Sequence, residues 1–181
     1  MKPRRDPTKN TTKNITAKKI AILVNPNTAP AIAGLQEAQQ AADALGIRLI
    51  VLNAASADAI ADALSALKQD TVDALLVSAS PFFSGQRDLI VRSVAELHIP
   101  AIYTDREFAV AGGLITYGPN LADAFRQVGM YTAQVLKGTK PADLPVVQTN
   151  SFDFVVNSKT AKTLGLTIPA SLLALSTEVI E

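Results

Sequence analysis

The sequence contains no cysteine and only one histidine among its 181 residues. Without cysteine there can be no disulfide bond, thiolate metal site or cysteine nucleophile. The absence of cysteine is compatible with an oxidising compartment but does not prove one. No run of 18 apolar residues occurs, so the sequence predicts no transmembrane helix. With 48% hydrophobic and 18% charged residues, the chain has the composition of one globular domain with a sizeable core.

Basic charge is scarce outside the start of the chain. Residues 1–19 hold seven basic residues and one acidic residue, which leaves ten basic against fifteen acidic residues in the rest. A surface that binds the phosphate backbone of a nucleic acid needs many basic residues. The excess of acidic residues after residue 19 therefore argues against nucleic-acid binding by the rest of the chain. We predict that residues 1–18 form a disordered basic tail, with a polyanion-binding arm as the alternative. No apolar stretch follows the tail's charges, so it does not predict a secretory signal, and the chain as it stands is expected to be cytoplasmic.

Short apolar segments alternate with stretches of helical periodicity. The apolar segments predict six strands. Four of them alternate regularly with helices, at 20–24, 48–52, 72–77 and 100–103, and two more follow at 114–117 and 152–156. The helices between them have predicted N-caps or stops at Gly46, Ser56, Ser84, Asn120, Gly138, Ser158 and Gly165, and Pro169 opens a final turn or helix. Near-continuous hydrophobicity in the strands predicts helices on both faces of the sheet. The expected fold is a three-layer, doubly wound, mostly parallel α/β sheet of flavodoxin-like type, with strand order 2-1-3-4 and a later strand at the edge.

Ligands of open α/β sheets bind beyond the carboxyl ends of the strands. Three loops build that edge here, at 25–30, 78–84 and 104–110. They carry amides, hydroxyls, the aromatic pair Phe82 and Phe83, and a charged triplet at 105–107 beside Tyr103. Such a mixture suits a small organic ligand, for example a zwitterion or a ring. The alternative is that the aromatic residues cap the core and the triplet forms solvated ion pairs.

The residues offer little for catalysis. His98 lies at a helix end before the fourth strand, opposite the ligand edge, and no GxSxG motif occurs. The loop after the first strand, NPNTAPA, has no glycine that would let the backbone approach a phosphate. The acidic residues of a response-regulator receiver are also missing, because Asn25 and Ser78 follow the first and third strands. We therefore predict no catalytic residue, no metal site and no cofactor.

Three long stretches resemble a known family. The segments PFFSGQRDLIV, IPAIYTDREFAVAGGLITYGPN and FDFVVNSKTAKTLGLTIPA are similar to the C-terminal half of ABC transporter substrate-binding proteins, which have the type I periplasmic-binding-protein fold. The resemblance covers about residues 18–181. It implies two α/β lobes with a ligand in the cleft between them, no catalysis, docking onto a membrane permease, and a periplasmic or extracellular location.

The resemblance also divides the chain. It implies that residues 19–181 form the second lobe and that a first lobe would precede them. The strand-helix segment 113–138 would then belong to the first lobe, and residues 139–150 would be the linker back to the second lobe.

Carried over from the family, the binding residues lie along the ligand edge. Phe82 or Tyr103 would stack on an amino acid or aromatic ligand, and Asn27 or Asp105 would accept a hydrogen bond from its amine or hydroxyl. The full implied set is Asn27, Ser80, Phe82, Phe83, Tyr103, Asp105 and Arg106.

A self-associating scaffold or regulatory lobe without ligand capture is the alternative function, and an enzyme on a flavodoxin-like sheet is a weaker one. Whether the chain is a binding module or a scaffold, four apolar residues on one side of the predicted helix after Asn120 would face the absent lobe. We predict a homodimer, exchanged through residues 113–138, with an interface formed by Leu121, Phe125, Val128 and Val135.

Overall fold

The computed structural model describes residues 17–69, 71–147 and 151–181. In this part of the chain, seven strands form one sheet in the order β2-β1-β3-β4-β5-β6-β7. Neighbouring strands are parallel except β5 and β6, which are antiparallel. The strands are β1 (Lys19–Val24), β2 (Arg48–Asn53), β3 (Ala74–Val77), β4 (Ala101–Tyr103), β5 (Ile115–Pro119), β6 (Phe152–Asn157) and β7 (Glu178–Ile180). The predicted tail falls almost entirely on residues 1–16, outside the described part.

Helices fill most of the connections between strands. Gly46 ends the first of them in the left-handed region, with φ 67°, and Asn120 caps another by accepting the N–H of Asp123. Among the described residues, no helix combines the length and apolar character needed to cross a membrane. The helices are α1 (Ala29–Leu45), α2 (Ala57–Ala66), α3 (Pro81–Gly85), α4 (Arg87–Leu97), α5 (Arg106–Val110), α6 (Leu121–Leu136), α7 (Ser158–Thr163) and α8 (Ala170–Leu173), with a 3-10 turn at Pro141–Asp143.

The fold class and the strand order 2-1-3-4 with later strands at the edge are confirmed. Two predicted caps are wrong. Ser84 lies inside α3, because Pro81 already starts that helix with a φ suited to its first turn. Asn157, one residue before Ser158, caps α7 by accepting the N–H of Thr160.

Two hydrophobic clusters lie on opposite faces of the sheet. The larger one joins the strands to α2, α4 and α5, and includes the buried residues Leu23, Ile60, Val77, Ile90 and Phe108. The smaller one packs α1 against the first three strands. The prediction of helices on both faces therefore holds over β1–β3 but not over β4–β6, where Ile102 and Tyr117 on the α1 face are exposed.

The strand of segment 113–138 belongs to this sheet. β5 pairs with β4 on one side and with β6 on the other, so its assignment to a first lobe is wrong for the strand. The helix of the segment, α6, differs because none of its residues is buried. The expected linker 139–150 contains a 3-10 turn and ends in residues 148–150, which are outside the described part. The last strand, β7, was not predicted.

Candidate functional site

The carboxyl ends of β1, β3 and β4 meet at one edge of the sheet because these strands are parallel. Asn25 follows β1 and is buried, with its amide nitrogen 3.5 Å from the hydroxyl oxygen of Ser80. Its side-chain oxygen accepts the N–H of Asn27 at 3.1 Å. Asn25 therefore holds the turn after β1 against the loop after β3, and Asn27 lies exposed at the tip of that turn.

Asp105 connects the loops after β3 and β4. The hydroxyl of Ser84 donates to one oxygen of its carboxylate, and the hydroxyl of Thr104 donates to the other at 3.2 Å. The carboxylate is half-buried. These two hydroxyls hold an acceptor in a fixed position at the edge, and they leave lone pairs for a further donor.

The two adjacent phenylalanines have different surroundings. Phe83 is 1% exposed and belongs to the core, whereas Phe82 is half-buried and packs against that core from outside. Their ring centroids are 5.8 Å apart. Only Phe82 presents part of a ring at the ligand edge, so the predicted contact of Phe83 with a ligand has no support in its position.

Tyr103 is a core residue rather than an edge residue. Its ring is 2% exposed and stacks on Phe108 with 4.8 Å between centroids. The ring also lies against Gly113, where an added Cβ would come within 2.7 Å of it. Burial raises the pKa of the Tyr103 hydroxyl. The predicted stacking of Tyr103 on a ligand therefore disagrees with its place in the structure.

Arg106 is exposed and already paired. Its Nε lies 2.7 Å from Oε2 of Glu178, and its Nη2 lies 2.8 Å from Oε1 of the same carboxylate. This contact raises the pKa of Arg106 and lowers the pKa of Glu178. The guanidinium is thus used to attach α5 to β7, which is a structural role.

Ser80, Phe82 and Asp105 lie along one edge of the sheet. Ser80 is buried, Phe82 and Asp105 are half-buried, and Asn27 is exposed at the tip of the neighbouring turn. Sequence reasoning missed Asn25 and Ser84, which connect the loops. Both lie in the loops 25–30 and 78–84 that the sequence places at this edge, but neither is among the predicted binding residues, and Ser84 is predicted to be a helix cap. One more hydroxyl at this edge, that of Ser78, is buried without a hydrogen-bond partner.

No group of three His, Cys, Asp or Glu side chains within the described ranges is close enough to hold a metal ion. His98 is exposed, in a left-handed conformation with φ 54°, at the end of α4. It precedes β4 and therefore lies at the opposite edge from Asp105, as predicted.

Comparison with known proteins gives a family match over most of the chain. The model described as ABC transporter substrate binding protein matches residues 10–180. No curated protein matches the chain.

Several solved structures share the fold. A conserved domain protein from Vibrio cholerae is 22% identical, with a TM-score of 0.82 over 91% of this chain and 55% of that one. An ABC domain in complex with L-Trp from Streptococcus pneumonia is 27% identical, with a TM-score of 0.80 over 91% of this chain and 57% of that one. A ligand-free, open substrate-binding protein with adhesive properties from Clostridium difficile is 19% identical, with a TM-score of 0.66 over 92% of this chain and 55% of that one. The chain thus spans little more than half the length of these proteins.

Proposed function

The chain belongs to the family of ABC transporter substrate-binding proteins, and on that premise we propose that its ligand edge forms one wall of a small-molecule binding cleft. The observation that carries the proposal is the Asp105 carboxylate, which two hydroxyls hold at the same edge of the sheet as the half-buried ring of Phe82. Both groups lie where open α/β sheets bind ligands. Substrate-binding proteins of this family are binding proteins without a catalytic step, and the proposal includes none.

The chemistry of the edge favours a ligand with a cationic amine and an apolar or aromatic group. Asp105 can accept a hydrogen bond from an ammonium group, which is stronger than one between neutral groups. Arg106, its neighbour, is engaged by Glu178 and so is not free to bind a ligand carboxylate. The part of the Phe82 ring that is not buried can contact an aromatic or apolar group of the ligand. An aromatic amino acid combines these features, and the Streptococcus pneumonia relative is in complex with L-Trp.

Calorimetry with matched ligands tests this proposal. L-tryptophan and indole-3-propionate share an indole ring and a carboxylate, but only L-tryptophan has the amine. We expect L-tryptophan to bind and Asp105→Asn to weaken that binding by about 10- to 100-fold, because hydrogen bonds to charged groups contribute about 1.5–3 kcal/mol. Equal binding of both ligands, or unchanged binding by Asp105→Asn, would contradict the assignment of Asp105.

Two control substitutions isolate the edge. Glu107→Gln removes the carboxylate two residues after Asp105, and that carboxylate lies 3.6 Å from Arg106. His98→Gln changes a residue at the opposite edge of the sheet. Both variants should bind L-tryptophan as the unaltered chain does. Phe82→Ala should weaken binding by about tenfold, because aromatic stacking contributes about 0.5–1.5 kcal/mol beyond the buried area.

The family membership also supports a place of action and a partner. We propose that the chain works in the periplasm or outside the cell and delivers its ligand to an ABC permease. A pull-down with candidate ABC permeases from the source organism, in the presence and absence of ligand, tests this partner. If the chain binds its ligand but captures no permease, the proposed partner is refuted while the proposed binding site stands.

A further inference from the structure

Arg87 is a second arginine whose guanidinium reaches the ligand edge. It is the first residue of α4, just after the short helix α3 that follows β3. Its Nη1 donates to the carbonyl oxygen of Ser84 at 3.2 Å. The guanidinium therefore contacts the loop at 78–84, although Arg87 itself lies outside the loops in which binding residues were predicted.

Ser84 connects this guanidinium to the carboxylate of Asp105. Its carbonyl oxygen accepts a hydrogen bond from Arg87, and its hydroxyl donates to Oδ2 of Asp105. Arg87 and Asp105 do not form an ion pair with each other among the described residues. One serine therefore holds a cation and an anion on two of its own groups, close to each other but separate.

The two arginines near this edge differ in the donors that they leave for a ligand. Arg106 places its Nε and Nη2 against both carboxylate oxygens of Glu178. Apart from Ser84, the part of the chain that the structure describes offers Arg87 only the carboxylate of its neighbour Asp88. The distance between Nε and Oδ1 in that pair is 3.9 Å, which is too long for a hydrogen bond. A guanidinium has a planar fork of N–H donors that matches a carboxylate, and most of the fork of Arg87 remains for a ligand.

We propose that Arg87 binds the carboxylate of the ligand while Asp105 binds its amine, which makes α-amino acids the ligand class of this chain. The inference rests on the proposed function of the ligand edge and adds a second, oppositely charged contact to it. An α-amino acid carries its ammonium and carboxylate groups on one carbon, so its two charges need partners as close together as the two groups that Ser84 holds. A bidentate contact between a guanidinium and a carboxylate is among the stronger hydrogen-bonded pairs. An amine that lacks the carboxylate cannot make this contact.

Calorimetry with L-tryptophan and tryptamine measures the contribution of the carboxylate, because tryptamine keeps the indole ring and the amine and lacks only that group. The unaltered chain should bind L-tryptophan about 10- to 100-fold more tightly than tryptamine, as expected for hydrogen bonds to a charged group. Arg87→Gln should weaken the binding of L-tryptophan by about the same factor and leave the binding of tryptamine unchanged. Arg87→Lys keeps the charge without the fork and should recover only part of the loss.

Arg92 in the same helix provides the matched control. Its Nε donates to the carbonyl oxygen of Asp88 at 3.1 Å, and it has no hydrogen bond to Ser84 within the described ranges. Arg92→Gln removes the same charge from α4 and should bind both ligands as the unaltered chain does. Asp105→Asn should weaken the binding of both ligands, because both carry the amine.

The two ligands separate a binding role of Arg87 from a structural one. Equal losses for L-tryptophan and tryptamine in Arg87→Gln would mean that Arg87 only positions Ser84, and unchanged binding of L-tryptophan would mean that Arg87 contacts no carboxylate. Either result overturns the assignment of Arg87, while a loss of binding in Asp105→Asn still supports the proposed function. No binding of L-tryptophan by the unaltered chain, or no effect of Asp105→Asn, overturns the proposed function and this inference together.

Discussion

The guanidinium of Arg106 binds both carboxylate oxygens of Glu178, at 2.7 Å and 2.8 Å. The pair connects the first residue of α5, at the ligand edge, with the first residue of the last strand. Seventy-two positions separate the two residues in sequence, so the contact fixes the end of the chain to the edge. Arg106 was predicted to bind a ligand, and this contact gives it a different role.

The contribution of this pair to stability is expected to be small. Both side chains are more than a third exposed, so solvent screens their attraction, and exposed pairs contribute about 0–1 kcal/mol. Glu178→Gln and Arg106→Gln should each lower the free energy of unfolding by less than about 1 kcal/mol in urea titrations. The double variant should lose no more than either single one, since both remove the same contact. A double loss equal to the sum would show that the two residues do not interact.

Acidification should weaken the fold through two carboxylates. Arg106 lowers the pKa of Glu178, and the backbone N–H groups of Lys18 and Lys19 lower the pKa of Asp73 by donating to its Oδ2 at 2.7 and 2.9 Å. Since these pKa values are lower in the folded than in the unfolded chain, their stabilising effect is complete above the unfolded values of about 4 and is lost as the pH falls below them.

Thermal unfolding between pH 7 and pH 3 measures this effect. The melting temperature of the unaltered chain should fall across that range, and the fall should be smaller in Glu178→Gln and in Asp73→Asn. Identical pH profiles for all three proteins would mean that neither carboxylate has a lowered pKa in the folded state.

The buried ring of Tyr103 predicts a stability effect and not a binding effect. Tyr103→Ala should destabilise the fold by about 3–5 kcal/mol, because large aromatic-to-alanine changes in a core leave a cavity. Tyr103→Phe keeps the ring on Phe108 and should remain close to the unaltered chain. A Tyr103→Ala variant that folds normally but loses ligand binding would restore the edge role predicted from the sequence.

Gly118 allows two backbone segments to approach each other. A Cβ at this position would lie 2.1 Å from the carbonyl oxygen of Thr104, which is backbone and cannot rotate away. Gly118→Ala should therefore destabilise the fold by roughly 1–3 kcal/mol, the usual cost of overpacking.

Gly129 in α6 provides the matched control for Gly118. Nothing lies within 4 Å of a Cβ added there. Gly129→Ala should raise stability by up to about 1 kcal/mol, because alanine favours helix over glycine. Equal effects of the two substitutions in urea titrations would contradict the close approach at Gly118.

The alternation of apolar strands and periodic helices was enough to predict the strand order 2-1-3-4 and the edge of the sheet at which the loops after β1, β3 and β4 meet. It did not reveal which side chains at that edge are exposed. All three residues of β4 are apolar or aromatic. Their hydrophobicity therefore could not show that Tyr103 faces α5 while Ile102 faces the α1 side of the sheet. That distinction depends on the pairing with β5 and on Gly113, which are tertiary features.

The missed elements have similar causes. β7 has three residues, and its place in the sheet depends on pairing with Val155 and its neighbours in β6 rather than on a local pattern. The family resemblance led to the assignment of β5 to another lobe, although its hydrophobic pattern fits the sheet equally well. Ser84 was a plausible cap by type, but its contact with Asp105 spans 21 positions and has no signal in the local sequence.

Pro119 and Phe152 are register partners across β5 and β6. The chain therefore leaves the sheet and re-enters it at adjacent points, and antiparallel neighbours are only about 5 Å apart. For protein engineering this makes residues 120–151 an exchangeable module: a tight turn or a different compact insert with closely spaced ends can replace them without shifting the register of any strand. The sheet and its ligand edge could thus be fused to a reporter domain at this single junction.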